Sequence, residues 1–238
     1  MRSTYLALAV GMALSLYCTS SLSAADEKKG TNQAPQEAAA KAKSSDEADA
    51  VKDIHLAHQL IEFGRKHKAP EALITAARIL GSHGTVELAE KATHQVAENA
   101  PKTERKGSPS DDSPKALLEE AKRISNNAPG IVALANSVEI SRGASGGPKR
   151  TVDQVSGLST DQFRITFNGL EVATVALSGD GDTRLDLYVY DENGNLVTSQ
   201  VGPGDDCLAT WVPRWTGTFV IRVVNRGLLS NRYVLVTN

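Results

Sequence analysis

The chain of 238 residues is short of several things, and each shortage excludes a class. It has only two cysteines, Cys18 and Cys207, too few for a disulfide-stapled scaffold or a cysteine-rich zinc fold. Charge of one sign is also missing: 26 Lys and Arg stand against 28 Asp and Glu, for a formal net charge of -2. A strongly basic nucleic-acid binder would carry a concentrated positive excess, so no nucleic-acid partner is expected. None of the five histidines lies beyond His94, so a serine or cysteine nucleophile in the second half has no histidine near it in sequence. Metalloprotease, P-loop and dinucleotide fingerprints are all absent. Past the first residues, no apolar run approaches the ~20 residues that a membrane-spanning helix needs.

What is present begins with an address. Arg2 supplies a positive start, residues 6–17 form a short apolar core, and small residues fill 20–25 before charge begins at Asp26. That order predicts a secretory signal peptide over 1–25, with Ser23-Ala24-Ala25 as a small-x-small cleavage site. The rival readings are lipidation at Cys18, which bulky Tyr17 disfavours, and an uncleaved anchor. Cleavage implies a periplasmic or extracellular location with no stable membrane insertion afterwards. It also leaves Cys207 as the lone thiol, in a strand-like context that predicts a buried small hydrophobe.

Composition divides the remainder. The last lysine is Lys149, and Phe63 is the only aromatic between the leader and residue 150. The expected fold class is therefore α+β in separate segments: a small all-α helical hairpin region, then an all-β antiparallel sandwich of jelly-roll type. Residues 26–45 lack apolar periodicity and read as a disordered leader. Residues 46–141 read as helical, with helices starting near Asp46, at Pro70, at Thr85 (to about Ala97), at Pro114 and near Gly130. Within them, 98–113 is polar and broken by proline, as in a flexible insert. Gly and Pro mark 142–150 as a linker.

From 151 to 238 the apolar period changes to two. Phe163, Ile165 and Phe167 alternate with polar residues, as do Leu185, Leu187 and Val189, then Phe219, Ile221 and Val223. Seven or eight short strands separated by Gly/Asp/Asn turns, with no helical crossover, predict an antiparallel sandwich. The run Ser178-Gly-Asp-Gly-Asp-Thr-Arg-Leu-Asp-Leu-Tyr-Val-Tyr-Asp-Glu-Asn-Gly, followed by Trp215-Thr-Gly-Thr-Phe-Val-Ile-Arg-Val-Val-Asn and Tyr233-Val-Leu-Val, resembles the bacterial pre-peptidase C-terminal domain over about 151–238. The resemblance implies a jelly-roll-like accessory module of secreted proteins. Such a module has no catalysis of its own, and in some members it binds calcium or a matrix polymer.

The candidate sites follow. Asp180, Asp182, Asp186 and Asp191 lie in or beside one loop-to-strand segment, and Asp205-Asp206 sits in another loop. Calcium takes six to eight oxygens from such groups, so calcium is the candidate cofactor. Against it, Arg184 stands where family members commonly have Asp, and turns alone call for Asp and Gly. If Leu187 and Val189 face the core, Tyr188 and Tyr190 point outward and offer a binding surface; Trp211 and Trp215 are further aromatics, with Trp215 read as core. His55 and His58 share a helix face and would need His94 or Asp53 to hold a metal. Gly143-Ala-Ser145-Gly-Gly147 fits a hydrolase elbow in letters only, because no histidine follows it.

Together these observations predict a secreted or periplasmic protein that is not an enzyme. It would carry an accessory binding module for a cell-envelope polymer, glycan or protein. The alternative is a helical protein-interaction scaffold that the sandwich merely stabilises.

Overall fold

A computed structural model describes residues 30–100, 111–139 and 146–238. The signal peptide, together with Gly143 and Ser145 of the elbow-like motif, lies outside the described residues.

The helices are α1 (Gln36–Ala39), α2 (Asp46–His67), α3 (Pro70–Ser82), α4 (Pro114–Ile124) and α5 (Pro129–Asn136). The α2 start is chemically specified: Ser45 Oγ accepts the Ala48 N–H at 3.1 Å, and Asp46, Glu47 and Asp49 sit at the positive end of the dipole. Arg65, Lys66 and His67 occupy the negative end, and Lys68 stops the helix in the left-handed region. At Gly64 a Cβ would strike the Leu73 side chain, so the glycine lets α2 and α3 pack closely. Ala57, Ile61, Leu73, Ile74, Leu117, Leu118 and Ala121 form the helical core.

The strands are β1 (Val86–Glu87), β2 (Thr93–Gln95), β3 (Lys149–Val155), β4 (Thr160–Phe167), β5 (Ala173–Ser178), β6 (Leu185–Tyr190), β7 (Leu196–Gln200), β8 (Asp206–Trp211), β9 (Gly217–Asn225) and β10 (Asn231–Thr237). They make two five-stranded sheets, β1-β3-β10-β5-β8 and β2-β4-β9-β6-β7. Every pairing is antiparallel except β1 with β3. The inward residues Phe163, Ile165, Leu177, Leu185, Leu187, Phe219, Ile221, Tyr233 and Leu235 fill the space between the sheets. The period-two reading holds in β4, in the second half of β6 and in β9.

Three expectations need correction. The helix placed at 85–97 is instead a strap: β1 extends the first sheet, β2 extends the second, and between them Leu88 enters the sandwich core with no exposed surface. Local helix propensity loses there to two free sheet edges and a hole between them. The leader is held from Thr31 onward rather than disordered. Asn32 is fully buried; its side chain accepts from Trp215 N–H at 3.0 Å and donates to the Trp215 carbonyl and Glu192 at 3.1 Å, while its own N–H meets Asp191 at 2.8 Å. Ala34 N–H then bonds the Val212 carbonyl, and Val172 N–H bonds the Lys43 carbonyl. Polar anchoring of this kind leaves no apolar period to read. The linker, finally, is shorter than 142–150, since Lys149 and Arg150 already belong to β3.

The helical and β segments form one compact unit, 31–238. Val51 and Ile54 of α2 pack on Ala176, Val234 and Val236, the outward residues of β5 and β10. One sheet is thus roofed by helix, and each of those α2 side chains removes area worth about 1.5–3 kcal/mol from water. Leu88→Ala is expected to cost about 2–5 kcal/mol in urea unfolding, as for a large core residue, and a loss within about 0.5 kcal/mol would contradict the strap.

Candidate functional site

Among the described residues, the helices pack on the first sheet and not on the outer face of the second. Because Leu187 and Val189 point inward, Tyr188 and Tyr190 point out, as the alternation requires, and their rings stack at 6.5 Å and 24°. Arg222, paired with Tyr188 across β9, lays its guanidinium 4.7 Å from the Tyr190 ring centroid. Arg226 donates to Tyr188 Oη at 3.1 Å and to Asp186 Oδ2 at 2.8 Å, and Arg184 bonds Asp186 Oδ1 at 2.9 Å. Exposed Arg164 lies on the adjoining β4. The two tyrosine rings are thus fixed by cations on both sides before any partner arrives.

The aspartates named as calcium ligands do not share one shell. Asp186 is buried with each oxygen on a guanidinium, so Arg184 supplies an internal ion pair where a ligand would be needed. Asp191 lies five strand residues further on, about 16 Å at ~3.3 Å per residue. It works as a turn clasp, accepting from the N–H groups of Asn32, Asn193 and Asn195 and from the Asn195 amide; despite burial, those bonds hold its pKa below the usual range. Asp180 accepts from Asp182 N–H at 3.2 Å and Arg232 N–H at 2.9 Å, while Asp205 accepts from Gly181 N–H at 2.7 Å and Asn231 at 3.0 Å. Asp180, Asp182 and Asp205 therefore meet in one pair of loops, away from Asp191.

A titratable group that the sequence does not signal joins the strap to both sheets. His94 Nδ1 lies 2.7 Å from Asp161 Oδ1, and Tyr233 donates its hydroxyl to Asp161 Oδ2 at 2.8 Å. Asp153 lies close enough that one ligand atom each from His94, Asp153 and Asp161 falls within 4.8 Å of the others. Both Asp161 oxygens are nevertheless already hydrogen-bonded, so the arrangement is complete as a latch. Burial raises the Asp161 pKa against the bonds from His94 and Tyr233; the Asp161 bond raises that of half-exposed His94. The histidine pair proposed for a metal is not assembled with its supposed partners: His55 Nε2 contacts Gln59, Asp53 pairs with His83, and His94 is committed to Asp161.

Cys207 is buried as expected. Its pKa is pushed up to about 12 by burial and by the charges of Asp186, Asp206 and Asp205, so it has no thiolate character. Trp211 is a core residue packed against Phe167 and Phe219. Trp215, read as core, is instead half-buried at the surface, where its Nε1–H meets Glu192.

No family model matches the chain, and no curated protein matches it. Among solved structures, a periplasmic lysozyme inhibitor of g-type lysozyme from Aeromonas hydrophila is similar at a TM-score of 0.32 and 14% identity, over 41% of this chain and 91% of that one. The pre-peptidase C-terminal domain of a Bacillus anthracis collagenase is similar at a TM-score of 0.30 and 12% identity, over 37% of this chain and 89% of that one.

The latch has a pH signature. A histidine whose pKa is raised by folding stabilises the fold below its unfolded value, near pH 6.5, and that contribution is lost as pH rises through the higher folded value. His55 and His58, which burial holds low, act in the opposite sense, so the comparison is with His94→Gln. The stability gap between the two proteins is expected to be largest below about pH 6.5 and to narrow as pH rises through the raised folded value; a gap independent of pH would contradict the latch.

Proposed function

We propose that this is a secreted or periplasmic, non-catalytic protein. On this reading its sandwich is an accessory module of the pre-peptidase C-terminal type, and the open face of the second sheet grips a cell-envelope polymer. The observation that carries the reading is the stacked Tyr188–Tyr190 pair, held rigid by Arg222 and Arg226 on the face that the helices leave uncovered. Pre-ordered aromatic rings lose little rotamer freedom on contact, which is what a surface for sugar rings or extended chains requires. The motif from Ser178 to Gly194, which contains both tyrosines, supports the family resemblance. The reading needs no calcium, since Asp186 is neutralised by Arg184 and Arg226.

A second reading, the helical interaction scaffold, rests on Leu56 and Phe63. These α2 residues are 47% and 52% exposed on the side away from the sheet. Against it, the inner face of α2 is already spent on the protein's own sheet.

Co-sedimentation with isolated cell-wall polymer separates the two. The Tyr188→Ala/Tyr190→Ala variant is expected to lose about tenfold or more in retention, while Leu56→Ala/Phe63→Ala is retained like the wild type. The opposite pattern would replace the open-face reading with the scaffold.

A further inference from the structure

A second concave region lies between the layers, independent of the open face. A cavity of about 570 Å³ is bounded by α2, the N-terminal end of α4 and the outward side chains of β3 and β10. Its apolar wall is Ile54, Val152 and Val234, and its polar lining includes His58, Arg150 and Arg232. That volume lies within the ~300–1,000 Å³ typical of small-molecule sites.

Two arginines share this lining with the carboxylates of Asp111 and Asp112. Among the described residues, neither the Arg150 nor the Arg232 guanidinium has an acidic partner within ion-pair distance. Of the lining carboxylates, Asp112 is ion-paired with Arg65 at 2.8 Å and acts on Arg150 only at longer range, and Asp111 accepts the Ser113 N–H at 2.9 Å, while His83 is paired with Asp53. His58 Nε2 is buried with no hydrogen-bond partner, which costs stability unless something else meets it. The N-terminus of α4, capped by Ser113, adds the positive end of its dipole at the rim. An adjoining cavity of about 380 Å³ shares His58, Asp112 and Arg232 and mixes Arg65 and Lys66 with Glu62, Asp180 and Asp206 in its lining.

We propose that the interlayer cavity binds a small molecule through a phosphate or carboxylate group, held by Arg150 and Arg232 with His58 Nε2 as a further hydrogen-bonding partner. Planar guanidiniums on adjacent strands suit either oxyanion, and an anion between them supplies the direct ion pair that neither has among the described residues. The site lies on the face opposite the tyrosines, so it stands or falls separately from polymer binding.

His58 provides the readout. Burial, with Arg150, His55 and Arg65 nearby and only Asp112 opposing, lowers its pKa to about 4. An anion bound beside Nε2 stabilises the imidazolium and moves that value up. The experiment follows the His58 ring resonances of the whole purified protein by NMR, with inorganic phosphate and succinate added separately at constant ionic strength. A saturable shift with either anion, together with a rise of about one unit in the His58 pKa, is expected. Whichever anion binds tighter identifies the group. Arg150→Gln and Arg232→Gln are each expected to weaken binding about tenfold or more, with Arg232→Lys intermediate. No saturable response of the wild type to either anion overturns the proposal, as does an unchanged response in a folded Arg150→Gln/Arg232→Gln variant. The wild-type result decides even if the variants do not fold.

Discussion

The structure depends most on the contact of α2 with the outer face of the first sheet. Val51 and Ile54, in the first half of α2, pack on the sheet, whereas Ala57 and Ile61, further along much the same face, serve the helical core. Ala176, Val234 and Val236 point away from the sandwich interior and need a cover. Each surface solves the other's exposure. The β5 and β10 runs are buried on both faces, which explains why they read as nearly continuous apolar segments rather than clean alternation.

That single contact orders the rest. With one sheet roofed, the sheet face that the described helices leave uncovered is that of β2-β4-β9-β6-β7, which carries the tyrosine–arginine array. Where the roof does not meet the sheet closely, the interlayer cavity remains, lined by arginines that an apolar contact could not accommodate. The strap completes the enclosure. It extends both sheets, plugs the core with Leu88 and is fastened by His94 on Asp161, whose other oxygen is held by Tyr233 of the first sheet. The leader adds a second fastening through Asn32 on the turn that follows β6.

What the residues announced, and what they hid, divides along the range of the forces. Period-two runs such as Phe163–Ile165–Phe167 encode a two-faced sheet locally, and they located both the sandwich and the outward tyrosines. Ser45 and Pro70 encode helix starts just as locally. The strap at 85–97 has ordinary helix-forming residues and becomes extended only because two sheet edges lie on either side of it. The His94–Asp161 pair spans 67 residues and has no motif. Asp186 and Asp191 look alike in sequence; one neutralises two arginines and the other clasps a turn, a difference set by Arg226 and Asn32, both far away along the chain. Of the aspartates that suggested a metal, Asp186 is engaged in ion pairs and Asp191 in a turn.

Native-state hydrogen exchange on the whole protein tests the central claim most directly, because it measures whether the roof and the sheet it covers open together. The amides of α2 around Val51 and Ile54 are expected to exchange with the same opening free energy as those of β10 around Val234 and Val236, as parts of one cooperative unit. Exchange of the α2 amides at a much lower free energy, with β10 fully protected, would mean that the helical layer is a loose appendage. The first sheet would then be as open to partners as the second.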